Sequence, residues 1–201
     1  MASAEHNQRH DGQHHEHEHT GPAGHGQPGH VHDESCAIAH GTVAASPAAD
    51  KVLVAVFASP VASYLLRYAA DAGYRAMLIE PDAVRAKAVA DDGIELADGL
   101  DAAAAAQTDV VVTDHQQPEL GVQLRDALAA GARWVGIMGN PRVEAPHIAA
   151  LTELGVPATE IAKVHRPIGV NIGSRTPAEI AIATIAGLIA DRNNKPGGFT
   201  F

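Results

Sequence analysis

The segment VHRPIGVNIGSRTPAEI, residues 164–180, sets hydrogen-bond donors directly against a helix start. Thr176, Pro177 and Glu179 form that start: a hydroxyl at the N-cap, a proline where its missing N–H is no loss, and a glutamate that can reach back to close a capping box. Upstream, Gly169 and Gly173 relax the backbone, and Ser174 and Arg175 place donors beside free helix N–H groups. This is chemistry suited to an anion. Two other polar groups follow apolar runs: Asp114-His115-Gln116-Gln117, and Gly139-Asn140-Pro141-Arg142. These residue types bind by charge and hydrogen bonding. No residue pair offers an evident proton relay, and no catalytic residue is assigned.

The elements that must position these residues read as alternating strands and helices. KVLVAVF (51–57), YRAMLIE (74–80), TDVVVTD (108–114) and RWVGIMG (133–139) are apolar runs of strand length. Between them lie helical patterns: VASYLLRYAADAGY, an alanine-rich helix after Pro81, a further helix in ADGLDAAAAAQ, then PELGVQLRDALAAG and PRVEAPHIAALTELG. The long final helix spans 176–193. Such alternation predicts an α/β, Rossmann-like domain, a parallel sheet with helices on both faces. Ligands of these sheets sit beyond the carboxyl ends of the strands, near the point where strand order reverses. The loops after the first, third and fourth strands therefore open on one edge, and the loop 167–175 can join them.

The first of those loops is informative for what it lacks. A dinucleotide turn needs glycines for close approach to the pyrophosphate, and an acid at the end of the second strand for the ribose. FASPVA (57–62) has none of the glycines, although Glu80 stands where the acid would be. Ordinary NAD binding is disfavoured.

At 201 residues the chain suits one well-buried domain, placed at 49–201. Ten of the thirteen histidines fall in the first 40 residues, among Gly, Pro, Gln and acids. With so little apolar surface to bury, residues 1–48 are expected to form a disordered tail. Acids exceed bases by five in 1–49 and by five again in 50–201, so no basic nucleic-acid footprint exists. No run approaches the roughly 18 apolar residues of a membrane span, and no signal peptide is evident. A cytoplasmic chain is expected. In the tail, His14, His15, His17 and His19 can gather around Ni²⁺ or Zn²⁺, with Cys36 as a softer ligand. The spacing fits no defined zinc module, and a solvated low-complexity tail with adventitious metal affinity is the plain alternative.

Taken together, TDVVVTDH, GARWVGIMGNPR and RPIGVNIGSRTPAEIAIATIAGLIA resemble the C-terminal Rossmann domain of the XdhC/CoxI family, accessory proteins of molybdenum hydroxylases such as xanthine and carbon monoxide dehydrogenases. The last stretch looks like the family's P-I-G-L-x-I-G-A-x-T-P-x-E-I-A signature, and the resemblance covers about residues 51–192. It implies a non-catalytic maturation factor that holds the molybdenum cofactor (molybdopterin), protects it while its terminal sulfur is installed, and delivers it to the apo-hydroxylase. A sulfurase, a homodimer and a partner XdhC-type subunit are all compatible partners. The resemblance carries a cofactor-binding role onto His115, Gly139, Asn140, Arg142, Gly169, Gly173, Ser174 and Thr176; chemistry adds Asp114 and Arg175. The chain departs from the family in its His-rich segment in place of a cysteine-bearing N-terminal domain, in the lost glycines of its first turn, and in Asn140 where the pattern has serine.

Two other functions compete: an NAD(P)-dependent oxidoreductase, and a metallochaperone working through the tail. Plain structural roles are expected for Gly136 (strand packing), Trp134 (core), and His147 and His165 (surface or satisfied polar residues).

Overall fold

The computed structural model describes residues 51–90, 93–140 and 142–198, together with Ile38 and Ala39. The chain divides into two units, Met1–Ala45 and Ser46–Phe201, and all elements named below belong to the second. Of the expected tail only Ile38 and Ala39 are described, helical and exposed; His14, His15, His17, His19 and Cys36 lie outside the described residues.

In chain order the elements are β1 (Val52–Val56), α1 (Pro60–Asp71), β2 (Arg75–Ile79), α2 (Ala83–Ala90), β3 (Thr108–Val112), α3 (Leu120–Ala129), β4 (Trp134–Ile137), α4 (Pro146–Glu153), α5 (Ala158–Ile161), β5 (Val164–His165) and α6 (Pro177–Arg192). The five strands form one parallel sheet in the order β2-β1-β3-β4-β5. Strand order reverses at the β1/β3 boundary, the place where doubly wound sheets bind ligands. Val56 stands opposite Val112, and Val112 opposite Ile137, so the carboxyl ends of the three central strands lie level.

Alternation within the strands builds two cores. Val52, Val54 and Val56 pack with Val110, Val112, Leu124 and Leu151 on one face. Leu53 and Ala55 pack with Leu65, Leu78, Val111 and Leu188 on the other, under α1 and α6. Both faces are covered, which is why β1 and β3 read as unbroken apolar runs rather than alternating ones. Gly136 serves packing as expected: a Cβ there would come within 2.2 Å of the Trp134 ring. Trp134 itself is only half-buried, at the start of β4, and is stacked on His165 of the edge strand β5 with centroids 4.8 Å apart.

The helix expected in ADGLDAAAAAQ is replaced by turns and a single 3-10 turn at Ala105–Gln107. Alanine propensity is overridden because the segment has no apolar stripe to bury. Asp101 turns the chain by accepting from Ala103 N–H at 2.9 Å, and Glu95 to Ala97 are drawn against Leu78 of β2 by two backbone hydrogen bonds of 2.9 Å. The expected helix over PRVEAPHIAALTELG is confined to α4, and α5 and β5 were not anticipated at all.

The amino end of the sheet carries a buried ion network. The Asp109 carboxylate, with no exposed side-chain surface, accepts from Arg133 Nε at 2.6 Å and from Arg192 Nε at 2.8 Å. Arg133 also reaches Asp191 at 2.7 Å, and Arg192 Nη2 donates to the Gln107 carbonyl at 2.6 Å. The carboxyl end of α6 is thereby fixed to the amino end of β3, and the helix start points toward the opposite edge.

Candidate functional site

At that opposite edge the β1–α1 turn is already filled by the protein's own groups. Phe57 has φ +71°, the left-handed conformation that a glycine adopts without strain, yet its ring is fully buried. Phe57 thus adopts the kink that suits a glycine. Ala58 N–H donates to Glu80 Oε2 at 2.7 Å, Ala62 N–H donates to the Ser59 hydroxyl at 3.0 Å, and Pro60 has no N–H. Glu80, whose side chain is wholly buried, also accepts from Asp82 N–H at 3.0 Å and pairs with Arg85 at 2.8 Å. Ser59 in turn donates to Thr113 Oγ1 at 3.0 Å, lacing β1 to β3 across the switch point. A pyrophosphate would find few donors here, and Glu80 is turned away from any ribose.

The strain at Phe57 gives a specific expectation. Left-handed backbone costs a side-chain-bearing residue roughly 1–2 kcal/mol, and deleting a core phenylalanine costs about 3–5 kcal/mol. Phe57→Gly should therefore destabilise by about 1–4 kcal/mol, and Phe57→Ala, which keeps the strain, should be the worse of the two. Chemical unfolding of both variants measures this; an alanine variant the more stable would contradict it.

The β3 and β4 loops are more open. Asp114 makes its own turn, accepting from Gln116 N–H at 2.9 Å and from Gln117 Nε2 at 2.6 Å, and His115 beside it is partly exposed. Asn140 Oδ1 accepts from Arg142 N–H at 2.9 Å, which leaves the Asn140 amide and the exposed Arg142 guanidinium as donors. Gly139 lies beneath Arg166: a Cβ on it would come within 2.8 Å of Arg166 Nε. Arg166 Nη2 donates to the carbonyls of Asn140 (2.8 Å), Val143 (3.0 Å) and Glu144 (3.3 Å) and so holds the whole loop. Sequence reasoning passed over Arg166. The available signal was a cation at a strand end, immediately before a proline, in a chain with few basic residues.

The loop before α6 divides into two parts. Gly169, at φ +85°, packs on the α6 backbone, where a Cβ would lie 3.0 Å from the Ala183 carbonyl carbon. Its place is against the middle of the helix, away from the strand ends. Gly173, at φ +68°, is open, and Ser174 and Arg175 follow it into the capping box. That box is complete: Thr176 Oγ1 accepts from Glu179 N–H at 3.2 Å, and Glu179 Oε2 accepts from the N–H groups of Thr176 (3.2 Å) and Arg175 (2.6 Å). The protein's own carboxylate thus meets the N–H groups of Arg175 and Thr176, and the side-chain donors beside the cap are those of Ser174 and Arg175.

His147 is neither on the surface nor satisfied. It is 5% exposed, and its Nδ1 has no hydrogen-bond partner among the described residues. Burial, and then the charge of Arg166, push its pKa below the ordinary histidine value. The neutral form is favoured in the folded chain, so this contribution to stability is complete above the unfolded value of about 6.5 and is lost as pH falls below it toward the folded value. Wild type should lose more stability than His147→Gln between about pH 7.5 and pH 5. Parallel urea-unfolding profiles for the two proteins would contradict this. Among the described residues no group of three or more His, Cys, Asp or Glu can hold a metal ion, and no helix is long and apolar enough to cross a membrane.

The model of the XdhC Rossmann domain matches residues 53–188, more than half of the chain and all of the loops above except the tail. The uncharacterized protein YqeB of Escherichia coli K12 is 42% identical over 65 residues, which make up 32% of this chain and 12% of that protein. A solved structure of a xanthine dehydrogenase from Bacillus halodurans is similar with a TM-score of 0.55 and 22% identity, over 76% of this chain and 46% of that one. The chain thus matches less than half the length of either, and the structural likeness is one of fold.

Proposed function

The chain belongs to the XdhC Rossmann family, and from that premise we propose that it binds the molybdenum cofactor and helps deliver it to a molybdenum hydroxylase of the xanthine or carbon monoxide dehydrogenase type. The observation that carries the reading is the contrast between the two halves of the carboxyl edge. The β1–α1 turn, where a dinucleotide would bind, is filled by Glu80, Ser59 and Thr113, whereas the β3 and β4 loops present Asp114, His115, Asn140 and Arg142.

The donor set fits the group. Arg142 and the Asn140 amide on the β4 loop, and Arg175 and the Ser174 hydroxyl before α6, are donors of the kind a phosphate takes. Asp114 uses two of its roughly four lone-pair sites within its own turn and retains capacity to accept from a pterin amine. When bound, molybdopterin supplies the dithiolene that holds molybdenum. The chain's own task is to orient it and to keep water from its open face. Gly169 serves this only indirectly, by seating the loop on α6.

Purifying the full chain from cells that make the cofactor, and identifying the small molecule that accompanies it, tests the reading. A pterin is expected. A nicotinamide nucleotide would favour the oxidoreductase alternative, and neither compound appearing would count against both.

A further inference from the structure

The β4–α4 loop, which carries Asn140 and Arg142, is gathered around a single nitrogen. Arg166 Nη2 donates to the carbonyls of Asn140 at 2.8 Å, Val143 at 3.0 Å and Glu144 at 3.3 Å. Three carbonyl oxygens, each the negative end of a dipole, are drawn toward one point, and a charged donor at its centre is what makes that arrangement favourable. The loop's other hydrogen bonds stay within it: Asn140 Oδ1 accepts from Arg142 N–H at 2.9 Å, and the Asn140 carbonyl from Val143 N–H at 3.1 Å. Among the described residues, the hydrogen bonds that tie residues 140–144 to another part of the fold therefore come from Arg166, directly after β5. The guanidinium is seated on Gly139. A Cβ there would come within 2.8 Å of Arg166 Nε and 3.2 Å of Nη2, so a side chain at 139 would push the guanidinium off the carbonyls.

We propose that Arg166 is a positioning residue for the cofactor site, holding the β4–α4 loop in the conformation that presents Asn140 and Arg142, and that Gly139 is its seat rather than a ligand contact. The role in binding rests on the function proposed above; the hold on the loop does not. Arg166 acts through the loop, because the nitrogen that makes its hydrogen bonds is already taken up by the three carbonyls.

Limited trypsin digestion of the full chain without ligand reads the hold. The Arg142–Val143 bond lies inside the gathered loop, and trypsin does not cut before Pro167, so variants at 166 remove no cleavage site. Cleavage by protease tracks the open population, which the loss of hydrogen bonds from a charged donor should raise at least about tenfold in Arg166→Gln and in Gly139→Ala. Cleavage after Arg67 of α1 and Arg125 of α3 should stay at the wild-type rate. Because one nitrogen makes all three bonds, an ammonium with its three donors can replace it, and Arg166→Lys should be cut more slowly after Arg142 than Arg166→Gln. Equilibrium titration with molybdenum cofactor reads the consequence. Arg166→Gln should weaken binding at least about tenfold, and its loss should add less than fully to that of Arg142→Ala in the double variant. Additive losses would show Arg166 meeting the ligand itself and overturn the positioning role, as would an Arg166→Gln protein that is cut faster yet binds as tightly as wild type. Unchanged cleavage after Arg142 in Arg166→Gln would overturn the hold, and in Gly139→Ala alone the seat. A wild type that binds no cofactor would sink the proposed function and with it the role in binding, while the digestion would still decide whether Arg166 holds the loop.

Discussion

Asp109→Ala is expected to lower stability by about 3–5 kcal/mol, a large share of what holds a domain of this size together. The side chain is wholly buried and receives two guanidinium groups at 2.6 and 2.8 Å. Removing it strands Arg133, 24% exposed, and Arg192, 12% exposed, with no carboxylate between them, and loosens the attachment of α6 to β3. The melting temperature should fall by on the order of 10 °C. Asp191 provides the contrast: it meets Arg133 at 2.7 Å but is 43% exposed, and water screens the pair. Asp191→Ala should cost no more than about 1 kcal/mol. Thermal and urea unfolding of both variants measures the difference, and equal losses would show that burial of Asp109 does not set the strength of the network.

Arg142→Ala is expected to do the opposite, sparing the fold and weakening the ligand. Arg142 is exposed, and among the described residues only its backbone N–H is engaged, by Asn140. A charge-assisted contact to phosphate is worth about 1.5–3 kcal/mol, so affinity for the molybdenum cofactor should fall roughly tenfold to a hundredfold with an unchanged melting temperature. Thr176→Ala should show the reverse pattern: about 1 kcal/mol of stability lost with the cap, and little change in affinity. Should Arg142→Ala bind the cofactor as tightly as wild type, the β4 loop is not where the phosphate is held.

The parts of this structure legible in the sequence are those in which a local pattern and the tertiary environment agree. β1 and β3 are buried on both faces, so their unbroken valine and leucine runs announce them. Thr176, Pro177 and Glu179 specify a capping box that forms as written, since all its partners lie within four residues. β5 escaped notice because two residues are too few to show a period. The alanines at 102–106 read as a helix because propensity alone favoured one, yet only Ala105 among them is buried, too little apolar surface to hold a helix in place. Phe57 in a left-handed conformation, Glu80 turned inward onto Ala58 N–H, and Arg166 reaching over Gly139 are each fixed by partners more than twenty residues away. His147 was misjudged for the same reason, since a lone histidine carries no pattern and only the packing of α4 reveals its burial.

The most direct measurement of the central claim is an equilibrium titration of the full chain with molybdenum cofactor released from a purified hydroxylase, alongside the Arg142→Ala variant and with NADH as a competitor. Saturable binding that Arg142→Ala weakens at least about tenfold, and that NADH does not displace, is the predicted result. Binding that is absent, that NADH displaces, or that is indifferent to Arg142 would contradict it.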